Sequence, residues 1–129
     1  MTEATDFPSC GADGHEKRAP FDLPATATIE SAAMMLRAAG DTARLRILLL
    51  LANGERCVTE LAEEEDEKVA TVSARLKLLH SARLVTRRRD AKHIYYALAD
   101  HHVVQLLRDI LDHAAEDNTH NTIKEGEIS

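Results

Sequence analysis

The chain has 129 residues, enough for one domain with a loose end or two. Hydrophobic residues make up 44% but aromatics only 3%, with no Trp, so the expected core is aliphatic and suits a small helical fold whose burial a partner chain completes. A net charge of −6 argues against coating nucleic acid in bulk, two cysteines are too few for a secreted disulfide scaffold, and no apolar run is long enough to span a membrane. The N-terminus "MTEATDFPSCGADGHEKRAP" lacks the basic-then-apolar layout of a signal peptide, so a soluble cytoplasmic protein is expected.

Residues 1–24 are polar, hold all three prolines, and read as a flexible arm. A domain is expected over 25–117, with a disordered polar tail at 118–129. Helical character starts near Thr28, where Ile29, Ala32, Ala33 and Leu36 repeat at helical spacing, and Gly40 stops the helix. Asp41 or Thr42 can cap the next helix, and Gly54 ends it. Its Leu45 and the run Ile47 to Leu51 are apolar almost all round, so it should be central and buried. "CVTELAEEEDE" reads as a shorter helix with Val58, Leu61 and Ala62 inward. "KVATVSARLKLLHSARL" follows, with Val69, Val72, Leu76 and Leu79 at helical spacing. In "LVTRRRDAKHIYYALAD", Val85 and the run Ile94, Tyr95, Tyr96 are strand-like around a short turn, which predicts a two-stranded hairpin. A helix over 100–116 closes the domain. The fold class is therefore mainly α with a small β-hairpin, a winged helix-turn-helix, and it is expected to be homodimeric.

That order gives the charges a meaning. From Arg75 to Lys92 the chain carries seven cations and one acid, a window of +6 that leaves −12 elsewhere. Such segregation is either a solvated basic face or a footprint on phosphate, and the helix-turn-helix order favours the footprint. The recognition helix would expose Thr71, Ser73, Ala74, Arg75 and Lys77, and the wing would set Arg87, Arg88, Arg89 and Lys92 against the flanking backbone. The acidic run "EEEDE" at 63–67 must then point away from DNA.

The last helix poses a different problem. His102 and His113 are eleven residues apart, on one face but about 16 Å distant along the axis, too far to share an ion. Each end looks like half of a site. Asp100 sits at the N-cap beside His102, and Glu116 is three residues beyond His113. Val103, Leu107, Ile110, Leu111 and Ala114 form a neighbouring stripe that should pack on the core. If a second copy lies antiparallel across a twofold axis, Asp100 and His102 meet His113 and Glu116, giving two nitrogens and two oxygens that suit zinc. Taken singly, each residue could be only a cap or a surface side chain. Cys57 and Glu60 are also three apart, and a folded arm could bring Cys10 and His15 to them. The alternative is that Cys57 is a small buried hydrophobe and Cys10 an unengaged thiol.

These stretches together resemble the ArsR/SmtB family of metal-sensing repressors over about residues 29–116. The resemblance rests on "DTARLRILLLL", "ERCVTELAE", "VATVSARLKLL", "RLVTRRRDAKHIYYAL" and above all "DHHVVQLLRDILDHAAE". It implies a dimer that binds operator double-stranded DNA without metal and releases it when zinc binds at the last helix. It places the last-helix ligands on Asp100, His102, His113 and Glu116. It places a second site on Cys57 and, with Glu for Asp, on Glu60, with Cys10 and His15 matching the arm ligands at a spacing that differs by a residue. Thr59 stands where the arsenic-sensing branch has a second Cys, and Ala74 where the recognition helix usually has a His. Co2+, Ni2+ or Cd2+ would also satisfy these donors. The alternative function is a thiol switch, in which Cys10 and Cys57 form a disulfide or polysulfide link that releases DNA. No nucleophile or base motif points to an enzyme.

Overall fold

A computed structural model describes residues 22–128. Helix α1 spans Thr26–Ala39 and α2 spans Thr42–Leu51. Strand β1 is Arg56–Cys57, and helix α3 is Val58–Glu65. Helix α4 is Val69–Ser81, strands β2 and β3 are Val85–Asp90 and His93–Leu98, and helix α5 is His101–Ile128. Among the described residues no helix is long and apolar enough to cross a membrane.

Local chemistry sets the boundaries. Helix α1 begins at Thr26 after an extended Ala25, two residues ahead of the expected start, without a side-chain cap. The Asp41 carboxylate caps α2 by accepting from the Arg44 N–H at 3.0 Å. Arg44 in turn donates to the Ala38 carbonyl at 2.7 Å and the Arg37 carbonyl at 3.4 Å, satisfying the open end of α1. Helix α3 is closed at its start by a reciprocal cap between Cys57 and Glu60. Its end is a left-handed Asp66 with φ 53°, which turns the chain into α4 without a glycine.

The fully buried side chains are Ile47, Leu48, Leu61, Val72, Leu76 and Leu79, so α2, α3 and α4 meet in one aliphatic centre. Val85, Tyr96 and Leu107 close it from the sheet and from α5. The sheet corrects the two-stranded expectation, since it has three strands in the order β1-β3-β2. Arg56 pairs with Tyr96 and Cys57 with Tyr95. Two residues are too few to show a period of two, which hid β1 in the sequence. Asp90 pairs with His93, so Ala91 and Lys92 alone make the turn, with Ala91 at φ 58°.

Three further expectations are corrected. Val69 is half exposed, because it opens α4 where no other element covers it. Of the expected stripe on the last helix, Leu107 is buried and Val103 partly so, whereas Ile110, Leu111 and Ala114 are exposed. The helix leaves the domain after its first two turns. It also runs on to Ile128 instead of ending near 116, passing through Gly126. Helix α1 buries no residue, with Ile29, Ala32 and Leu36 exposed and Ala33 partly covered. Two apolar stripes, one on α1 and one on α5, are left uncovered by a single copy.

Truncation should separate the centre from the uncovered surface. Leu76→Ala, at a site with no exposure, is expected to cost about 2–5 kcal/mol in urea unfolding. Leu78→Ala, at a site 54% exposed, should cost about 0.5 kcal/mol or less. Equal losses would contradict this placement of the core.

Candidate functional site

The basic residues fall into unequal groups. On α4 the buried set Val72, Leu76 and Leu79 fixes the helix rotation, and Ala70, Ala74 and Lys77 are exposed opposite it. Thr71, Ser73 and Arg75 lie half-buried on the flanks. Ala70 was not singled out from the sequence, because Val69 had been counted as core. Arg83 belongs elsewhere. At φ 63° it turns the chain after α4, and its guanidinium donates to the Ser31 hydroxyl of α1 at 3.4 Å.

Strand alternation divides the wing. Cross-strand partners share a face, and Arg87 pairs with the buried Tyr96 while Arg88 pairs with Tyr95. Arg87 and Arg89 therefore extend from the core side of the sheet, and Arg88 lies on the outer side. Arg88 is already engaged there. It donates to both carboxylate oxygens of Glu55 at 2.8 and 2.7 Å, and its guanidinium lies 4.7 Å from the centre of the Tyr95 ring. This bond to Arg88 holds the Glu55 carboxyl below its ordinary range. Arg87, Arg89 and Lys92 make no ion pair among the described residues.

The acidic run is largely tied down. Glu65 takes Arg46 of α2 in a two-point contact at 2.7 and 3.2 Å, Glu64 pairs with Arg56, and Glu67 lies 3.4 Å from Arg75. Two of these acids thus point back toward α2 and β1, away from the outer face of α4. The third draws on one of the cations expected at DNA.

The last helix has its candidate ligands at two separate stations. Asp100 caps α5, its Oδ1 accepting from the His102 N–H at 2.9 Å and the Val103 N–H at 3.2 Å. The Val103 bond is the chief reason its carboxyl lies below the usual range, so it is present as an anion. The His102 ring is exposed, with Nδ1 3.6 Å from the same oxygen. His113 and Glu116 are exposed further along, about 16 Å away by helical rise. Among the described residues no three His, Cys, Asp or Glu side chains converge to hold an ion. Asp109, on the same side, is taken by Gln105 at 2.9 Å. The chemistry fits a metal at each station, with one carboxylate and one imidazole apiece, but each station supplies only half of a tetrahedral set.

Cys57 and Glu60 do come together. The Cys57 N–H donates to Glu60 Oε1 at 2.9 Å, and the thiol faces the helix N-terminus in the reciprocal cap. Cys57 is buried. These two side chains complete each other as a helix cap, so a metal there would have to break the cap. Cys10 and His15 lie outside the described residues.

Comparison with known proteins adds four likenesses. The family described as "Bacterial regulatory protein, arsR family" matches residues 41–87. A "Transcriptional repressor SmtB homolog" from Synechocystis is 43% identical over 79 residues, 61% of this chain and 60% of that protein, so the match spans about three fifths of that relative's length. The "HTH-type transcriptional repressor SmtB" of Mycobacterium tuberculosis H37Rv is 36% identical over 94 residues, 73% of this chain and 70% of that one. Among solved structures, the homodimeric winged helix-turn-helix DNA-binding domain Mb0332 from Mycobacterium bovis has a TM-score of 0.69 at 33% identity. That match covers 77% of this chain and 92% of the other.

The Cys57–Glu60 cap has a pH signature. The backbone N–H of Cys57, and then its thiol, hold the Glu60 carboxyl below its ordinary range. A lowered carboxyl stabilises the fold fully above its unfolded pKa of about 4.3 and loses that contribution as pH falls through the folded value. Glu60→Gln should therefore lower the melting temperature at neutral pH, with the gap to wild type closing as pH falls below about 4. A gap that widens in acid would refute this account of the cap.

Proposed function

This chain belongs to the ArsR family of bacterial regulatory proteins, and from that premise we propose that it is a homodimeric repressor that binds operator DNA without metal and leaves it when zinc binds between the two copies. The observation that carries the proposal is the layout of α5. One exposed face holds two ligand pairs that a single copy cannot join, beside an apolar stripe that a single copy does not cover. A twofold interface uses one patch twice, which would cover both stripes and bring each pair to its complement.

Asp100 and His102 of one copy, with His113 and Glu116 of the other, would hold the ion. Asp100 is already anionic and oriented by its cap, and His102 must be neutral to ligate. Zinc, when bound, would supply a cross-link between two helices that otherwise adjust to the operator. Cobalt, nickel and cadmium would meet similar donors. A ligand that favours neither state shifts nothing, so the linked arrangement must be one that suits DNA poorly.

On DNA, α4 would present Ala70, Ala74 and Lys77 to the major groove, with Thr71, Ser73 and Arg75 on its flanks. Arg87, Arg89 and Lys92 would meet phosphate beside it. Such a protein acts in the cytoplasm, on the chromosome. The thiol reading is weaker here, because Cys57 is buried and its thiol serves the α3 cap.

Zinc titration of DNA binding tests the reading. His102→Ala and His113→Ala should bind operator as wild type does and fail to respond to zinc. Cys57→Ser should keep the response. In the wild type the coupling should be about 1–3 kcal/mol, with DNA weakening zinc binding by the same factor. The response should weaken as pH falls, because protons compete with the metal for the imidazole nitrogens. A zinc response that survives His113→Ala but not Cys57→Ser would move the sensing site to α3. A monomer by sedimentation, with and without zinc, would remove the shared site altogether.

A further inference from the structure

Arg88 is chemically unlike its neighbours on the wing. A guanidinium binds phosphate and carboxylate with the same two-point fork. In Arg88 that fork is filled. Nε donates to Glu55 Oε2 at 2.8 Å and Nη2 to Glu55 Oε1 at 2.7 Å. Nη1 lies 3.7 Å from Asp90 Oδ2, and one face of the group lies over Tyr95. Glu55 is 33 residues upstream, in the turn that leads into β1, so this is a contact made by the fold and not by the hairpin alone.

We propose that Glu55 occupies the fork of Arg88 in the place a DNA phosphate would take, and so holds the wing's affinity for DNA down. The inference rests on the DNA-binding reading above. A phosphate reaching Arg88 must displace Glu55, so one anion is exchanged for another and little is gained. A phosphate reaching Arg87 or Arg89, neither of which is ion-paired among the described residues, meets no such exchange. Glu55 is therefore a residue that sets affinity without itself touching DNA. If the pair merely braced the wing, breaking it would loosen the hairpin and weaken binding. The two roles predict opposite signs.

The test uses the full chain and a fluorescently labelled DNA duplex of mixed sequence, with anisotropy followed from about 50 to about 200 mM salt. Glu55→Gln should bind about two- to fivefold more tightly at the low-salt end, the scale of one exposed ion pair released. Its plot of log affinity against log salt should steepen by about 0.9, as for one more phosphate contact. Arg88→Ala in the wild-type background should change affinity less than about twofold, well below the loss from Arg89→Ala. Adding Arg88→Ala to Glu55→Gln should abolish the gain. Unchanged or weaker binding by Glu55→Gln overturns the inference. So does a loss from Arg88→Ala as large as that from Arg89→Ala, which decides the matter even if Glu55→Gln fails to fold. Wild type that binds while Glu55→Gln shows no gain defeats this inference alone. Wild type that binds no duplex at any salt defeats the DNA-binding reading and this inference with it.

Discussion

A single copy of this domain cannot cover the apolar surface of its first and last helices, and most of the molecule's other properties follow from that shortage. Helix α1 reaches the core only through the partly buried Met35, Ala38 and Ala39, leaving Ile29, Met34 and Leu36 outside. Helix α5 touches the core through Val103 and Leu107 and then departs, carrying Leu106, Ile110 and Leu111 into the open. Burial drives association at roughly 25 cal/mol per Å² before the costs of ordering, so such stripes favour a second apolar surface. A helix that stands away from its own domain can also carry ligands that no neighbour in the same copy competes for. His113 and Glu116 occupy that kind of position.

Charge is organised by pairing as much as by position. The net −6 opposes phosphate, yet acids beside the basic window are engaged by specific partners. Glu64 and Glu65 are drawn toward Arg56 and Arg46, off the outer face of α4. Each exposed pair contributes little to stability. Its effect is to place a charge, which matters more for a surface that must meet a polyanion.

Much of this was legible in the sequence wherever a period could be read. The spacing of Val72, Leu76 and Leu79, the all-round apolar run of α2, and the strand-like run Ile94 to Tyr96 located α4, α2 and the hairpin. Periodicity says which residues share a face but not which body covers it. Hence Ile110 and Leu111 were assigned to the domain's own core, although they lie outside it. Strand β1 was too short to carry any period. The partner of Arg88 was invisible for another reason: Glu55 lies far upstream, and only the sheet brings the two together. In the candidate metal set, the grouping of Asp100 with His102 and of His113 with Glu116 could be read from spacing. The structure adds that Asp100 is already oriented by the helix it caps, and that Cys57 and Glu60 are each other's partners.

The tip of the wing bears on how the molecule meets a partner. Ala91 turns the hairpin at φ 58°, a conformation that costs an L-residue about 1–2 kcal/mol and that glycine adopts freely. A glycine would relieve the strain but would leave the unfolded chain with more freedom to lose. With a two-residue loop and a methyl group at its corner, the tip has little disorder left once the chain has folded. Arg89 and Lys92 are therefore carried on a stiff support. The conformational entropy of that segment is surrendered at folding, and little of it remains to oppose a later encounter with a surface of opposite charge.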